Sequence, residues 1–166
     1  MKRIVVDTAT HRLQIGDATF SCAIGRSGPC DAAAKREGDG HTPRGTWPIR
    51  AALLRPDRDV RPPQHLPWRW LRPSDGWSDD PNDPDYNRPV RHPHRWSAER
   101  MWRDDGLYDV VILLGHNDDP PEAGMGSAIF LHLREGDVTE GCVAVEPDGM
   151  RRLLAELAAD AEVDIV

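Results

Sequence analysis

Two residues near the end of the chain, Cys142 and His132, have the types and spacing that suit covalent catalysis, since they lie ten residues apart. A thiolate is a strong nucleophile, and a neighbouring imidazole can remove the thiol proton as the sulfur attacks a carbonyl. Gly141 precedes the cysteine and permits close approach of a substrate. The backbone N–H groups of Gly141 and Cys142 are candidate donors to an oxyanion. The pattern therefore indicates acyl transfer.

Two predicted strands must position this pair. Residues 128–133 form an apolar run, and its alternation places Ala128, Phe130 and His132 on one face of a sheet. A short polar connection leads to a second strand at 142–145, which we expect to return antiparallel beside the first and to bring thiol and imidazole together. Most free cysteines and strand histidines are structural, so the prediction depends on the pairing of the two.

The other apolar patterns indicate a mainly β domain with one C-terminal helix. Strand-like runs occur at 3–6, 12–15 and 19–24, which read as a meander, and at 46–49, 109–115 and 161–166. Gly, Pro and polar residues dominate 25–45, which reads as loop. Pro147 and Asp148 offer a helix start, followed by an apolar stripe at helical spacing: Met150, Leu153, Leu154 and Leu157.

Residues 51–108 are the least regular part of the sequence. Neither a helical nor a strand period is visible there, and many prolines separate five tryptophans: Trp68, Trp70, Trp77, Trp96 and Trp102. Long irregular segments in compact domains are usually functional or disordered, and the large apolar area of the tryptophans favours order. We predict a single domain, 1–166, in which 51–108 is an insertion that caps the active site.

Composition excludes several classes of protein. A length of 166 residues suits one domain, and no apolar run approaches the roughly 20 residues that a membrane-spanning helix needs. The net charge of −7 argues against a nucleic-acid partner, which would require a basic surface. Three cysteines cannot all pair within the chain, which keeps a free thiol available. The sequence does not indicate an oligomeric state.

The sequence around the candidate pair resembles the L,D-transpeptidase (YkuD-like) family. After His132, the run Thr139-Glu140-Gly141-Cys142-Val143 is similar to the family's Ser/Thr-His-Gly-Cys motif with its following aliphatic residue. Residues 39–47, Asp-Gly-His-Thr-Pro-Arg-Gly-Thr-Trp, resemble the family's Thr-Pro-x-Gly-x-aromatic segment. The likeness covers most of the chain outside the insertion and implies a YkuD-like β-sandwich or barrel.

The resemblance also implies roles for particular residues. Cys142 would be the nucleophile and His132 its base, oriented by the backbone carbonyl of Leu133, with N–H groups at Gly141 and Cys142 facing the oxyanion. The donor and acceptor would be peptidoglycan stem peptides, joined by a 3→3 or a 1→3 link. No cofactor and no metal are implied. Such substrates lie in the periplasm or cell envelope, although the N-terminus shows no secretory signal pattern.

Three features depart from the family pattern. Glu140 stands where the family has histidine, Ala144 stands where it has Arg or Asn, and the separation between His132 and Cys142 is shorter than usual. The chain therefore resembles a divergent branch. A carboxylate beside a thiolate raises the pKa of the thiol, so we expect Glu140 to face away from the sulfur or to bind a cationic group of the substrate.

Seven residues are candidates for substrate binding: His116, Asn117, Thr139, Glu140, Tyr86, Arg88 and Trp77. The segment containing His116 and Asn117 follows a predicted strand and could line the same pocket, or it could be an Asx-rich turn with a surface histidine. Tyr86, Arg88 and Trp77 could exclude water from an acyl-enzyme, although plain packing is the more common role of such residues.

Three other functions stay open. Water in place of an amine acceptor would give an L,D-carboxypeptidase or endopeptidase. Loss of catalysis would leave a peptidoglycan-binding module, a reading that Glu140 and Ala144 encourage. A zinc site could draw on five residues, namely Cys30, His41, His116, His132 and Cys142. Their spacing matches no compact zinc signature.

Overall fold

The computed structural model describes residues 3–166 and contains thirteen strands and one α-helix. The strands are β1 (Arg3–Asp7), β2 (Arg12–Ile15), β3 (Ala18–Ala23), β4 (Pro29–Asp31), β5 (Thr42–Leu54), β6 (Trp68–Trp70), β7 (Asp75–Ser78), β8 (Pro89–Arg91), β9 (Ala98–Arg100), β10 (Val110–Leu114), β11 (Phe130–Leu133), β12 (Val143–Val145) and β13 (Glu162–Ile165). The helix α1 spans Pro147–Glu156, and a short 3₁₀ turn covers Ala32–Ala34. The predicted β-rich class with a C-terminal helix is confirmed.

The main sheet closes on itself. Its strands follow the order β10-β11-β12-β3-β2-β1-β13-β5-β4, and β10 also pairs with β5. The strands from β10 through β5 therefore form a ring, and the fold is a β-barrel or sandwich of the expected type. β4 and β6 add to β5 outside the ring. The predicted meander is present as β1–β2–β3, in which β2 is antiparallel to both β1 and β3.

Alternation along the strands divides the apolar side chains between two clusters. The larger cluster collects the inward side chains of the ring, among them Ile4, Leu131 and Val143, each with no exposed surface. Helix α1 begins at Pro147, which lacks the N–H that a first helical turn leaves unpaired, and it packs Leu153 into the same cluster. Burying a leucine of this kind contributes roughly 1.5–3 kcal/mol.

The second cluster lies on the opposite face of β10 and β11. It contains Val111, Phe130 and Cys142, together with insertion residues such as Leu71 and Met101. The barrel strands thus present one face to the interior and the other to the insertion. This second face carries the predicted catalytic pair.

The prediction that β12 returns antiparallel to β11 is wrong. The two strands are parallel, with Leu131 opposite Val143 and His132 opposite Ala144. Residues 134–142 lead the chain back along β11, and Thr139 forms a bridge with Gly25 on the way. β12 is antiparallel to its other neighbour, β3. Parallel neighbouring strands usually need a connection of a dozen or more residues. The connection between β11 and β12 is shorter, so the sequence did not indicate a parallel crossover.

Two segments that were predicted to be irregular contain strands. Within 25–45, β4 pairs in parallel with the start of β5, where Cys30 lies opposite Pro43. Prolines in both partners made this stretch look like loop, because proline cannot donate to a ladder.

In the insertion, β7 is the centre of a three-stranded sheet with β8 and β9. Strands of three or four residues are too short to show a period. Residues 51–54 continue β5 and pair with β10, so they belong to the barrel.

Candidate active site

The register of β11 and β12 brings the catalytic candidates to one face. Leu131 is opposite Val143, so the residues before them, Phe130 and Cys142, are also level with each other. Cys142 therefore shares a face of the sheet with Phe130 and with His132, which lies two residues beyond Phe130. This face opens into a cavity of about 470 Å³. The cavity is lined by Lys35, Glu37, Gly38, Asp79, Glu99, Arg103, Leu107, Tyr108, Ser127, Ala128, Ile129, His132, Glu135, Val138, Thr139, Glu140, Gly141 and Cys142.

His132 is held in one tautomer by the backbone. Its Nδ1 lies 2.7 Å from the carbonyl oxygen of Leu133, which can only accept, so Nδ1 carries the proton and the lone pair of a neutral ring lies on Nε2. The edge of the Tyr108 ring packs against the imidazole at a centroid distance of 5.3 Å. Burial lowers the pKa of His132, which makes the neutral ring the resting form.

The thiol of Cys142 is engaged by the backbone of the preceding loop. The S–H donates to the carbonyl oxygen of Ala128 at 3.1 Å, and the N–H of Phe130 donates to the sulfur at 3.4 Å. Within residues 3–166, His132 is not among the hydrogen-bond partners of this sulfur, contrary to the expected contact. Burial, followed by the charge of Glu99, raises the pKa of the thiol to about 12. The resting state pairs a neutral thiol with a neutral imidazole.

Ala128 adopts an uncommon backbone conformation beside the sulfur. Its φ is 54°, in the left-handed region that an alanine enters at a cost of roughly 1–2 kcal/mol. The side-chain oxygen of Asn87 accepts from the Ala128 N–H at 3.0 Å, which anchors the backbone on the N-terminal side of this residue. On its C-terminal side, the carbonyl of the strained residue accepts from the thiol. Such strain is concentrated at functional sites.

A tight turn precedes Cys142. Thr139 Oγ1 accepts from the N–H of Gly141 at 3.0 Å and donates to the carbonyl of Cys142 at 2.6 Å. Thr42 Oγ1 donates to the carbonyl of Gly141 at 2.8 Å. Gly141 has φ +144°, and a Cβ there would come within 3.0 Å of the His41 carbonyl, so glycine is required. Thr139 thus shapes the turn, and the N–H of Gly141, an expected oxyanion donor, is already occupied.

Comparison with known proteins identifies the class of this domain. The family model of the YkuD L,D-transpeptidase catalytic domain matches residues 1–165. The chain belongs to this family. A search of curated proteins finds no match.

Solved structures with a similar arrangement include three proteins, all under 20% identical to this chain. Bdellovibrio bacteriovorus Bd1075 is 16% identical, with 99% of this chain and 47% of that chain covered and a TM-score of 0.49. An L,D-transpeptidase from Mycobacterium smegmatis is 11% identical, with 99% and 58% covered and a TM-score of 0.45. Mycobacterium tuberculosis L,D-transpeptidase 1 is 11% identical, with 99% and 60% covered and a TM-score of 0.43. The chain spans about half to three fifths of their lengths.

Glu140, one of the three departures of this family member from the motif, faces solvent. Its side chain is 82% exposed and forms an ion pair with Arg26 at 2.9 Å. Glu99, from β9, is the carboxylate that acts on the sulfur instead. The carboxylate of Glu140 therefore adds little to the field at the thiol.

His116 and Asn117 lie outside the cavity lining. The ring of His116 is buried edge-on against Trp47 at 4.9 Å, and burial lowers the pKa of His116 to about 4. Its buried Nδ1 has no hydrogen-bond partner within residues 3–166. The Asn117 amide donates to the carbonyls of Glu122 and Gly126, so it braces its own loop. The segment therefore resembles the Asx-rich turn of the alternative, but the expected surface histidine is wrong, because His116 is buried.

Two of the three insertion candidates, Tyr86 and Trp77, contact residues that line the cavity or hold its lining in place. Tyr86 is buried, and its hydroxyl donates to Glu37 at 2.6 Å. The Trp77 indole donates to Asn87 at 2.9 Å and packs edge-on against Phe130 at 5.1 Å. Arg88 is exposed to solvent. None of these three candidates lines the cavity.

Several cavity residues gave no signal in the sequence. Glu99, Arg103 and Tyr108 come from the irregular insertion, and Lys35 comes from a polar run that reads as loop. The Tyr108 hydroxyl donates to Glu99, and Lys35 is only 3% exposed. A charged residue in a segment without a period looks like a surface residue. Only the fold shows that these side chains face the sulfur.

Two further findings bear on cofactor and membrane contacts. Among residues 3–166, no three His, Cys, Asp or Glu side chains gather in the way a metal site requires. The same part of the chain has no helix whose length and apolar character would suit a bilayer crossing.

Proposed function

We propose that this domain is a peptidoglycan L,D-transpeptidase in which Cys142 forms an acyl-enzyme with a donor stem peptide. The acyl group then passes to the amine of an acceptor stem. The observation that carries the proposal is the imidazole of His132, fixed by the Leu133 carbonyl, on the same cavity face as Cys142, the one cysteine that lines the cavity among residues 3–166. Family membership supplies the substrate class, peptidoglycan peptides.

The first half of the reaction uses the neutral pair. A rotation about the Cα–Cβ bond of Cys142 releases the thiol from Ala128 and turns it toward Nε2 of His132. As the sulfur attacks the donor carbonyl, a C–S bond forms and the thiol proton passes to Nε2. Collapse of the tetrahedral intermediate breaks the C–N bond, and His132 returns the proton to the leaving amine. The product is a thioester on Cys142.

The second half reverses the roles. The acceptor amine attacks the thioester carbonyl and His132 takes a proton from that amine. As the C–S bond breaks, His132 gives this proton to the departing sulfur, which regenerates the thiol and the neutral imidazole. Because burial raises the pKa of the thiol and lowers that of His132, proton transfer accompanies attack and no stable ion pair precedes it. The cavity therefore favours a thiol that is protonated at rest.

We further propose that the insertion predicted at 51–108 caps this site, with 55–108 as the part outside the barrel strands. Its support is that Asp79, Glu99, Arg103 and Tyr108 line the cavity. A wall of this kind would exclude water from the thioester and favour transfer over hydrolysis. Because the family generally acts in the cell envelope, we place the reaction there.

Mass spectrometry of purified muropeptides incubated with the protein tests the proposal. We expect a cross-linked dimer with wild type and no dimer with Cys142→Ala. Cys30→Ala, which removes a half-buried thiol from β4, is the matched control and should keep wild-type turnover. Fragmentation of the dimer distinguishes a 3→3 from a 1→3 link. Products that only gain water would indicate hydrolysis, and equal turnover by Cys142→Ala would refute the cysteine mechanism.

A further inference from the structure

Lys35 is a buried cation beside the nucleophile. Its side chain is 3% exposed, although lysine is rarely buried without a partner. The ammonium forms an ion pair with Asp39 and donates to the carbonyl of Arg36 at 3.2 Å. Asp39 is itself fixed, because it accepts from the N–H groups of Arg36 and His41. The position of the charge is therefore set by the fold.

Two glycines leave room for this lysine to reach the site. A Cβ on Gly126 would come within 2.9 Å of Lys35 Cγ and 3.1 Å of Cε, so any larger residue there would displace the side chain. On the far side, the ammonium nitrogen is 3.7 Å from the position that a Cβ of Gly141 would take. The lysine thus passes across Gly126 and ends against the residue that precedes the nucleophile.

The hydrogen bonding of the turn before Cys142 indicates a role for the Lys35 ammonium. The Gly141 N–H is occupied by Thr139, so it is not free to receive developing negative charge. Burial and Glu99 both oppose a charged sulfur, whereas the Lys35 charge lowers the pKa of the thiol. A fixed positive charge in a site shielded from water acts more strongly than one in bulk solvent.

We propose that Lys35 is the electrostatic partner of Cys142: its ammonium, held by Asp39 against Gly141, stabilises the negative charge that forms on the sulfur as the thiol loses its proton. This role deepens the proposed function and rests on it. Asp39 keeps the ammonium in place and prevents it from turning toward solvent. Lys35 acts on charge only, since His132 remains the group that takes the proton.

The groups whose charge bears on this sulfur come from several elements. Glu99 lies on β9, His132 on β11, Lys35 on the loop before β5, and Tyr108 on the segment before β10. The other charged groups of the cavity are Glu37, Asp79, Arg103, Glu135 and Glu140. Among the cavity cations, Lys35 is the one whose charge lowers the pKa of the thiol.

The test is the pH dependence of iodoacetamide alkylation at Cys142, followed by peptide mass spectrometry in a Cys30→Ser background. Lys35→Gln keeps hydrogen-bonding capacity toward Asp39 but removes the charge. We expect its alkylation rate at pH 8 to fall about tenfold. A nearby opposite charge lowers a thiol pKa by about one unit or more, and one unit changes the thiolate fraction about tenfold. Lys35→Arg should stay within about threefold of wild type, since it keeps the charge.

Arg26→Met is the matched control. It removes an exposed cation, 47% accessible, that pairs with Glu140 in the turn before Cys142, and exposed charges are strongly screened. We expect a change below twofold in alkylation. An unchanged profile for folded Lys35→Gln, or an equal loss in Arg26→Met, would overturn the proposal. If Lys35→Gln fails to fold, a folded Lys35→Arg that loses about tenfold in rate would overturn it.

Turnover of muropeptides separates this inference from the proposed function. Active wild type with an unshifted Lys35→Gln profile would refute the role of Lys35 alone. Inactive wild type with a shifted profile would refute the transpeptidase assignment and keep the electrostatic coupling between Lys35 and Cys142. We expect wild type to be active and the alkylation profile of Lys35→Gln to be shifted. In that case the kcat/KM of Lys35→Gln should be about tenfold lower than that of wild type.

Discussion

The strands that carry His132 and Cys142 and the insertion that faces them are held by different forces. β11 and β12 are hydrogen-bonded on both sides, and their inward side chains, including Leu131 and Val143, have no exposed surface. The insertion has short strands, contributes apolar side chains mainly to the second cluster, and also depends on polar side chains that bind backbone groups. Arg55, for example, is buried over the Trp102 ring at 3.7 Å and donates to the Arg103 carbonyl.

This difference separates two tasks. A catalytic pair needs a rigid support, which apolar packing and a continuous ladder provide. The opposing wall combines its share of the second apolar cluster with polar contacts, and these polar contacts can be removed without opening the barrel. We therefore expect changes in the barrel strands to affect the stability of the whole domain, and changes in the insertion to affect the site first.

The largest effect is expected in the barrel. Leu131→Ala should lower the free energy of unfolding by about 2–5 kcal/mol, because it leaves a cavity in the larger apolar cluster. Urea unfolding, followed by tryptophan fluorescence, measures this loss. Leu131→Met keeps the volume and should cost less than about 1.5 kcal/mol. A small loss for the alanine variant would mean that the barrel does not stabilise the site as argued above.

A smaller loss of stability is expected at Asn87, with a clear loss of activity. Its amide donates to the carbonyls of His116 and Asn117, and its oxygen binds Trp77 and Ala128. Asn87→Ala should cost about 2–4 kcal/mol, from these hydrogen bonds and from its φ of 55°. We expect kcat to fall about tenfold.

Thermal unfolding and turnover, measured together, decide this prediction. Asn82→Ala, at an exposed turn of the same insertion, is the control and should leave both unchanged. Loss of stability with full activity in Asn87→Ala would show that the Ala128 peptide keeps its orientation without this side chain.

Glu99→Gln should change reactivity in the favourable direction. Glu99 raises the pKa of Cys142, so its neutral replacement should lower that pKa and speed alkylation at pH 8 several-fold. Burial also raises the pKa of Glu99 above 4.5, which means that its ionised form costs stability in the folded state. The variant should therefore be more stable than wild type at pH 7.

This gain has a defined pH window. Protonated Glu99 contributes its full share to the free energy of unfolding below about pH 4.5. This contribution is lost as the pH rises through the folded-state pKa of Glu99 and the buried carboxyl group ionises. The advantage of Glu99→Gln should consequently disappear below pH 4.5. Denaturant unfolding at pH 4 and pH 7 checks the sign, and a variant that is less stable at pH 7 would contradict it.

The smallest effect is expected at Glu140. It is exposed and paired with Arg26, so Glu140→Gln should change the free energy of unfolding by less than about 1 kcal/mol. Turnover should change by less than twofold. A several-fold rise in KM with unchanged kcat would instead show that Glu140 binds a cationic group of the substrate.

The sequence predicted the elements that have clear periods. The meander β1–β3, the buried strand β10 and helix α1 follow from alternation or from a helical stripe, and each is present. The same alternation placed Phe130 and His132 on one face, which the cluster of Phe130, Val111 and Cys142 agrees with. Local patterns suffice where each residue faces either the core or the other side.

The features that the sequence did not predict depend on long-range contacts. The parallel direction of β12 depends on its place between β11 and β3, about which the connection itself carries no information. The hydrogen bond of the thiol to Ala128 depends on Asn87, 41 residues away from Ala128 in the chain. Lys35 looks like a solvated residue until Gly126 and Gly141 are placed around it. Such contacts join segments that have no periodic pattern in common.

The long strand β5 connects the two regions compared above. Its first part pairs with β4 and β13, and its second part with β10 and β6. An amide in a strand flanked on both edges exchanges with deuterium only when a neighbour opens, so residues 52–54, which pair with both β10 and β6, should be among the slowest to exchange. Deuterium uptake along this strand would therefore show whether the insertion can loosen while the barrel stays closed.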